Sequence, residues 1–455
     1  MATMTHSPSS WQRLRAESRT TFTLALPIAI GQLASMAMSV VDTLLAGRHG
    51  PITLAAVAVG SAIWSLAMLI CIGLMMAIPP TVSQLNGAGR RSEVGPVWRQ
   101  ALWLALAVGL LLQLFMRWSP QLLVWMQIAP EVQAPAAEFL HAISWGAPAL
   151  ALFFATRYLS EGLSWTQPTL VFGIAALILL IPIGALLLFG YGPIPEMGAA
   201  GLGYATAIVM WLEFIAFAAY LQYSSHFRDL GLLSHFEWPN LKTIRELLVL
   251  GVPMGIAIFM EGSLFVATAL FIGRLGAVDV AAHQIALNVA SASFMIPLGV
   301  ALATTVRVGH AVGAGDVSAV RWAMRAGLLL VLVTQTLSAL MLIFGGHVIS
   351  GWYTDDAAIA GLAATLMIYA AVFQYPDGIQ ALSGGALRGL KDTTVPAIIT
   401  IFAYWAVGLS SGLYLGLVLG LRAPGFWIGL SIGLSVAAVL LFLRFQRAVD
   451  KLTRQ

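Results

Sequence analysis

The chain has 455 residues, of which 59% are apolar and only 9% are charged. Soluble domains average about 25% charged residues, so a soluble protein of this length would lack the polar surface needed to cover its core. The composition also excludes a disordered chain, and the formal net charge of +4 is too small to indicate a nucleic-acid partner. The single cysteine, Cys71, cannot form an internal disulfide. The remaining class is a polytopic membrane protein.

Apolar stretches long enough to cross a membrane recur along the whole chain. Many contain Gly or Pro, which helical membrane proteins tolerate, and none resembles the ten-residue strands of a membrane barrel. We therefore predict an all-α fold with twelve transmembrane helices. The predicted spans cover about residues 22–46, 53–79, 97–116, 132–156, 168–190, 198–222, 246–272, 279–306, 322–346, 357–386, 395–420 and 424–443.

The basic residues predict the orientation of these spans. With the N-terminus inside, 19 of the 23 Lys and Arg residues fall in cytoplasmic segments, Arg157 among them. The other 4 fall in outer loops, at Arg48, Arg117, Arg274 and Arg422. Because Lys and Arg concentrate on the cytoplasmic side of membrane proteins, we expect both termini in the cytoplasm.

The sequence also contains an internal duplication. Shifted by 226 residues, positions 27–89 match positions 253–315 with 17 identities in 63 places and no gap. Each repeat holds six spans, so the halves share one orientation and should be related by a pseudo-two-fold axis along the membrane normal. The predicted organisation is a cytoplasmic N-terminal segment (1–20), an N-lobe (21–222), a cytoplasmic linker (223–245), a C-lobe (246–443) and a cytoplasmic tail (444–455).

Acidic residues fall inside predicted spans at Asp42 in span 1, Glu261 in span 7 and Asp377 in span 10. A charged carboxylate at the bilayer centre costs about 2.5–3.5 kcal/mol on insertion scales. The cost is avoided when the acid holds a proton or binds a mobile cation, so we predict coupling to H⁺ or Na⁺ at these residues. Glu138 and Glu213 also lie in spans, and the sequence assigns them no role.

The acids do not follow the duplication. Under the shift of 226, Asp42 falls on Thr268 and Glu261 falls on Ser35. Scaffold residues inherited with the repeat should appear in both halves. We infer that the two lobes have different roles, with Glu261 and Asp377 in the second lobe.

Asp377 lies between a proline and a glycine. Pro376 removes a helix hydrogen bond and Gly378 allows the backbone to bend, which exposes carbonyl groups. Carbonyl and carboxylate oxygens are the ligands that hard cations prefer, so a Na⁺ site at Glu261 and Asp377 is one interpretation. A plain proline kink used for packing is the other.

Further polar residues each allow two interpretations. Gln284 and Asn288 lie at i, i+4 on one helical face, where amides either join helices or line a wet cavity. His283 is expected to be a packed, hydrogen-bonded histidine rather than a proton carrier. Asp355 and Asp356 predict a solvated turn and helix cap, or an outer mouth that attracts cations.

The sequence contains no P-loop, no Cys/His metal spacing and no polar segment long enough to fold as an ATPase. We therefore expect no cofactor and no enzymatic activity, and an ion gradient as the energy source. The chain resembles the NorM-like branch of the MATE (multidrug and toxic compound extrusion) transporters over essentially its whole length. The resemblance rests on Val-Asp-Thr (41–43), Gln-Leu-Asn-Gly-Ala-Gly (84–89), Leu-Phe after Glu261, Ala-Ala-His-Gln-Ile-Ala-Leu-Asn (281–288), Thr-Val-Arg-Val-Gly (305–309) and Leu-Arg-Gly-Leu-Lys-Asp-Thr (387–393).

This resemblance implies a multidrug antiporter of the bacterial inner membrane, most simply a monomer, which exports hydrophobic organic cations and dyes by rocking alternating access. It implies cation-coupling roles for Asp42, Glu261 and Asp377, and substrate contacts for Gln284 and the loop at 355–356. One departure concerns Phe294 and Phe373, where some relatives have a tyrosine. Because phenylalanine has no hydroxyl oxygen to bind Na⁺, we expect weaker Na⁺ binding here, which favours proton coupling.

Three rival functions are weighed against the antiporter. A flippase for a lipid-linked head group would need a cationic cavity, and no Lys or Arg lies deep in a predicted span. A membrane-embedded prenyl or acyl transferase would need a metal-binding acid pair or a histidine at the membrane face. A channel is the third, and saturable transport against a gradient would exclude it.

Overall fold

The computed structural model describes residues 9–232 and 234–454, which are almost entirely helical. The all-α fold predicted from the sequence is confirmed. The helices are α1 Ser10–His49, α2 Pro51–Met75, α3 Ile78–Gly87, α4 Val94–Trp118, α5 Pro120–Trp125, α6 Pro130–Ser144, α7 Ala147–Gly162, α8 Gln167–Phe189, α9 Gly198–Tyr223, α10 Leu241–Gly273, α11 Ala277–Gly313, α12 Val317–Tyr353, α13 Ala357–Gly389, α14 Thr394–Ile401, α15 Ser410–Leu413 and α16 Arg422–Thr453. Short 3₁₀ turns cover Arg91–Glu93 and Ser225–Leu230, and π-helical segments cover Phe402–Leu409 and Tyr414–Val418.

The helices account for the predicted spans. Among the described residues, 11 helical segments are long and apolar enough to cross a membrane. The pair α6 and α7, bent by 44°, raises the number to 12 when it counts as one span. The bend falls at Trp145 and Gly146, just before Pro148, which has no N–H to continue the hydrogen-bond ladder of α6. Twelve spans are therefore consistent with the structure.

The chain forms two compact units. The first unit comprises residues 30–263, and the second comprises residues 9–29 and 264–454 of the described chain. Both boundaries fall inside helices, within α1 and within α10, rather than in the linker. The beginning of α1 therefore belongs to the second unit, and the beginning of α10 belongs to the first.

Two glycines support the register of the duplication. Gly89 follows α3 and Gly315 follows α11, and both have φ of 71°. A left-handed residue after a helix allows the chain to reverse, and glycine adopts it without the steric penalty of a side chain. The two positions are separated by 226 residues, so the repeat carries the same turn in both halves.

The linker is fastened to the first unit through Arg99 on α4. The guanidinium donates to the main-chain oxygens of Gly231 at 2.7 Å and Leu232 at 3.1 Å, and to the Glu237 carboxylate at 2.5 Å. This hydrogen bond from Arg99 is the main cause that lowers the pKa of Glu237. Gln100 adds two hydrogen bonds to the main chain at residues 238 and 240. The linker is therefore a packed part of this unit.

The last two spans approach each other through glycines spaced four residues apart. A Cβ added to Gly429 would lie 2.3 Å from the Cα of Gly412, and one added to Gly433 would lie 2.7 Å from the Cα of Gly408. Small residues at this spacing let helix backbones pack closely in a membrane, where burial against lipid gives no hydrophobic gain. The complete set is Gly408, Gly412 and Gly416 against Gly433, Gly429 and Gly425.

We predict that Gly429→Leu destabilises the second unit, because the new side chain overlaps the backbone of the facing helix. The loss should be about 1–3 kcal/mol or more. Thermal unfolding of the purified protein in detergent measures it. Gly361→Leu on α13 is the control, since a Cβ there meets nothing within 4 Å. Equal melting temperatures for both variants would contradict the close packing.

Candidate ion-coupling and substrate sites

Asp42 lies on α1 within the first unit and is 9% exposed. The Thr206 hydroxyl on α9 donates a hydrogen bond to Asp42 Oδ2 at 3.4 Å. In the described part of the chain, Asp42 Oδ1 has no hydrogen-bond partner. The neighbouring Val41 and Met38 pack against an apolar cluster that includes Val209. The carboxyl thus sits among apolar groups with one long hydrogen bond, where a proton or a small cation would satisfy it.

Glu261 lies on α10, partly buried, in the first unit. Close backbone contacts between α10 and α2 hold it in position. A Cβ added to Gly73 would lie 2.2 Å from the Cα of Gly255, and one added to Gly262 would lie 2.5 Å from Leu69 Cδ1. The two backbones therefore meet at Gly73 and Gly255, and at Gly262 the helix is close enough to touch the end of the Leu69 side chain.

Asp377 lies on α13 in the second unit and is 5% exposed. Pro376 does not break the helix, which runs without interruption from Ala357 to Gly389. Near the proline, Gln335 Nε2 donates to the main-chain oxygen of Gln374 at 2.9 Å. The Gln374 side-chain amide is buried, and no hydrogen-bond partner for it occurs in the described ranges. Asp377 is thus accompanied by buried amides one turn away.

The other predicted polar residues occupy different settings. Gln284 and Asn288 are both exposed on α11, which favours lining a surface or cavity over joining helices. His283 is fully buried, and its ring lies 5.8 Å from that of Trp427. Neither His283 nitrogen has a hydrogen-bond partner within residues 9–232 and 234–454. The expected packing of His283 is present, whereas its expected hydrogen bond is not.

Asp356 is the N-cap of α13. Its Oδ1 accepts hydrogen bonds from the main-chain N–H groups of Ala358 at 2.8 Å and Ile359 at 3.3 Å. Asp355 is exposed beside it. The helix-cap interpretation of this loop is therefore confirmed for Asp356, and a role of the loop with cations stays a prediction.

The two phenylalanines lie in the second unit. Phe373, on α13, is buried and contacts Phe265 and Trp427 edge to face, with ring centroids 6.3 Å and 5.4 Å away. Phe294 lies on α11 and is partly buried. Phe373 is four residues before Asp377, so an aromatic ring rather than a hydroxyl lies one turn from this carboxyl.

A buried ion pair in α7 was missed by the sequence analysis, which assigned Arg157 to a cytoplasmic connection. Arg157 Nε lies 2.6 Å from Glu161 Oε1, and both side chains are at most 3% exposed. Thr169 donates to the same carboxylate, and Arg157 also donates to Gln32. The i, i+4 spacing of Arg157 and Glu161 was the available signal.

The two acids without an assigned role differ in their surroundings. Glu213 is partly buried and lines a cavity of about 220 Å³ between α8 and α9, together with Phe172 and Leu179. Glu138 is exposed on α6. Neither residue is added to the candidate coupling acids Asp42, Glu261 and Asp377.

We predict that Glu161→Leu lowers the free energy of unfolding by about 3–5 kcal/mol, because it leaves the Arg157 charge buried without its partner. Thermal unfolding in detergent measures the loss. The double variant Arg157→Met with Glu161→Leu should recover most of it, since no charge is then left unpaired. A double variant less stable than the single one would contradict an energetic pair.

Comparison with known proteins identifies the class. The fold and its buried carboxyls define an all-α polytopic membrane protein, and the MatE family model matches residues 27–186 and 253–413, one match in each half. The chain is 51% identical over 447 residues to a protein of Xanthomonas campestris named "Probable multidrug resistance protein NorM", covering 98% of each chain. It is 42% identical to "Multidrug resistance protein PmpM" of Pseudomonas aeruginosa, covering 97% of this chain and 94% of that one.

Solved structures agree on the fold. The eukaryotic MATE transporter AtDTX14 superposes with a TM-score of 0.88 at 19% identity, over 97% of this chain and 99% of that chain. An outward-facing multidrug resistance MATE transporter superposes with a TM-score of 0.86 at 19% identity, over 98% and 99%. The chain belongs to the MatE family, and it is a membrane transporter rather than an enzyme.

Proposed function

We propose that the protein exports hydrophobic organic cations in exchange for H⁺ or Na⁺ by alternating access. The full-length similarity to proteins named multidrug resistance proteins supports the transport of drugs and dyes. The carboxyls at Asp42, Glu261 and Asp377 are proposed to bind the coupling cation. The coupling cation must bind the two access states with different affinity, because only a difference can drive a cycle.

Burial supports the role of these carboxyls. Asp42 and Asp377 are almost completely enclosed within separate units, and Asp42 has one long hydrogen bond. A carboxylate taken out of water is stable only with a proton or a cation. Release of that cation therefore changes the free energy of the access state from which it is released. An antiporter needs this property.

The surroundings of Asp377 favour the proton as the coupling ion. Phe373, one turn away, contributes a ring packed on two other aromatic rings and no oxygen. The main-chain carbonyl of Gln374, three residues before Asp377, already accepts a hydrogen bond from Gln335. Na⁺ needs several oxygen ligands, whereas a proton needs one carboxyl oxygen. Na⁺ as the coupling ion at these carboxyls is the alternative tested below.

Location and substrate contacts follow the same proposal. The distribution of Lys and Arg supports both termini in the cytoplasm, and the bacterial relatives support the inner membrane. The exposed amides of Gln284 and Asn288 are proposed to contact the drug, and Asp355 and Asp356 to attract cations. The transporter is proposed to work as a monomer.

We predict that Glu261→Gln, Asp377→Asn and Asp42→Asn each lower gradient-driven efflux of a cationic dye by about tenfold or more, since each removes one exchangeable cation. Dye efflux from proteoliposomes measures it, with a pH gradient and a Na⁺ gradient imposed separately. We expect the pH gradient to drive efflux in the wild type.

The control is Glu138→Gln, which removes an exposed acid and should leave efflux unchanged. Undiminished efflux by the Asp377 and Glu261 variants would contradict their coupling role. Efflux driven by Na⁺ alone would establish the alternative ion. Flux that never accumulates dye against its gradient would indicate a channel instead.

A further inference from the structure

A cavity of about 250 Å³ opens between the beginning of α12 and the end of α16, both in the second unit. Its rim is polar and carries two guanidinium groups, a carboxylate and an amide, from Arg321, Arg325, Asp450 and Gln446. The carboxylate is already bound, because Arg321 Nη2 lies 3.3 Å from Asp450 Oδ1. The rim therefore has an excess of one positive charge.

Arg325 carries that excess charge. Its guanidinium lies 4.8 Å from the centre of the Trp322 ring, on the same helix. Among the residues that the structure describes, no carboxylate lies within ion-pair distance of Arg325. The Trp322 ring orients the guanidinium without neutralising it.

The floor of the cavity is apolar. Met324, Phe445 and Val449 are buried there, and Leu328 and Phe442 are partly buried. Exposed apolar side chains continue from the floor along the outside of both helices, at Leu332 on α12 and Leu443 on α16 among others. A ligand that fills this space needs a negative head and an apolar body.

The duplication indicates what kind of group Arg325 is built to hold. Arg325 lies ten residues after the left-handed Gly315, and Arg99 lies ten residues after the left-handed Gly89, so the two arginines correspond. In the first unit, Arg99 holds the carboxylate of Glu237 and two carbonyl oxygens of the linker. The equivalent position in one half of the protein is thus an occupied anion site.

The neighbouring residue explains why the two sites are filled differently. Gly95 in the first unit allows the linker backbone to approach so closely that a Cβ would lie 2.1 Å from the Leu230 oxygen. Its counterpart in the second half, 226 residues on, is Arg321. The Cβ of Arg321 prevents an equally close approach of a backbone, and its side chain adds a second guanidinium to the rim.

We propose that this cavity binds an anionic phospholipid of the surrounding leaflet, with its phosphodiester on Arg325 and Arg321 and its acyl chains along the apolar floor. Guanidinium groups bind phosphate through paired, charge-assisted hydrogen bonds. Basic pockets between transmembrane helices on the cytoplasmic side suit acidic lipid head groups. The proposal does not depend on the drug or on the coupling ion.

The test is a lipid titration of the delipidated protein, in which native mass spectrometry counts bound phosphatidylglycerol and, separately, phosphatidylcholine. The wild type should bind phosphatidylglycerol more tightly than phosphatidylcholine. Arg325→Gln should weaken its binding by about fivefold or more, since one basic contact is lost. Gln446→Glu should weaken it as well, because it places a carboxylate at the rim where the phosphate would lie.

The matched control is Arg447→Gln, which removes an exposed arginine of α16 that does not line the cavity. It should retain binding to within about twofold. Inorganic phosphate is added in a further arm and should not displace the lipid. Equal weakening by the Arg325 and Arg447 variants, equal binding of the neutral lipid, or full displacement by inorganic phosphate would each overturn the proposal.

Discussion

Charge in a medium without water is the constraint that organises this protein. Each ionised group among the helices must have a partner, and the chain meets the requirement in two ways. Arg157 and Glu161 neutralise each other inside α7 and share further bonds with Gln32 and Thr169. Among the described residues, Asp42 accepts one long hydrogen bond, from Thr206, and we propose that its charge is compensated by a cation from solution. The first arrangement is permanent, and the second is proposed to be exchangeable.

Close helix packing makes such enclosed positions possible. Lipid tails are as apolar as the side chains, so helices associate through backbone proximity rather than through hydrophobic burial. The glycines of α10 against α2 and those of the last two spans serve this purpose. Glu261 lies on α10 six residues after Gly255, where the backbones of α10 and α2 meet. The duplication preserves the turns at Gly89 and Gly315, whereas some charged residues near them differ, such as Arg90 in the first half and Asp316 in the second.

The sequence was sufficient for the fold class and the family, because hydropathy and sequence motifs are linear patterns. Of the twelve predicted spans, 11 are found as helices in the described residues, and the twelfth requires that α6 and α7 count as one bent span. The sequence did not predict that Arg157 is buried inside α7. A count of basic residues cannot distinguish a residue that follows a helix from one buried in its last turns. Two further features depend on neighbours far along the chain: His283 has no hydrogen-bond partner among the described residues, and the helix continues through Pro376. The unit boundaries inside α1 and α10 likewise depend on packing that local patterns do not encode.

The central claim is that a buried carboxyl exchanges a solution cation for a cationic drug. Linkage requires that each of two competing ligands weakens the other equally. The most direct measurement is the affinity of the purified protein for a monocationic dye as a function of pH at constant Na⁺, and of Na⁺ at constant pH. The account predicts that dye binding weakens on acidification and that Asp377→Asn reduces this dependence. A dye affinity independent of both cations would contradict it.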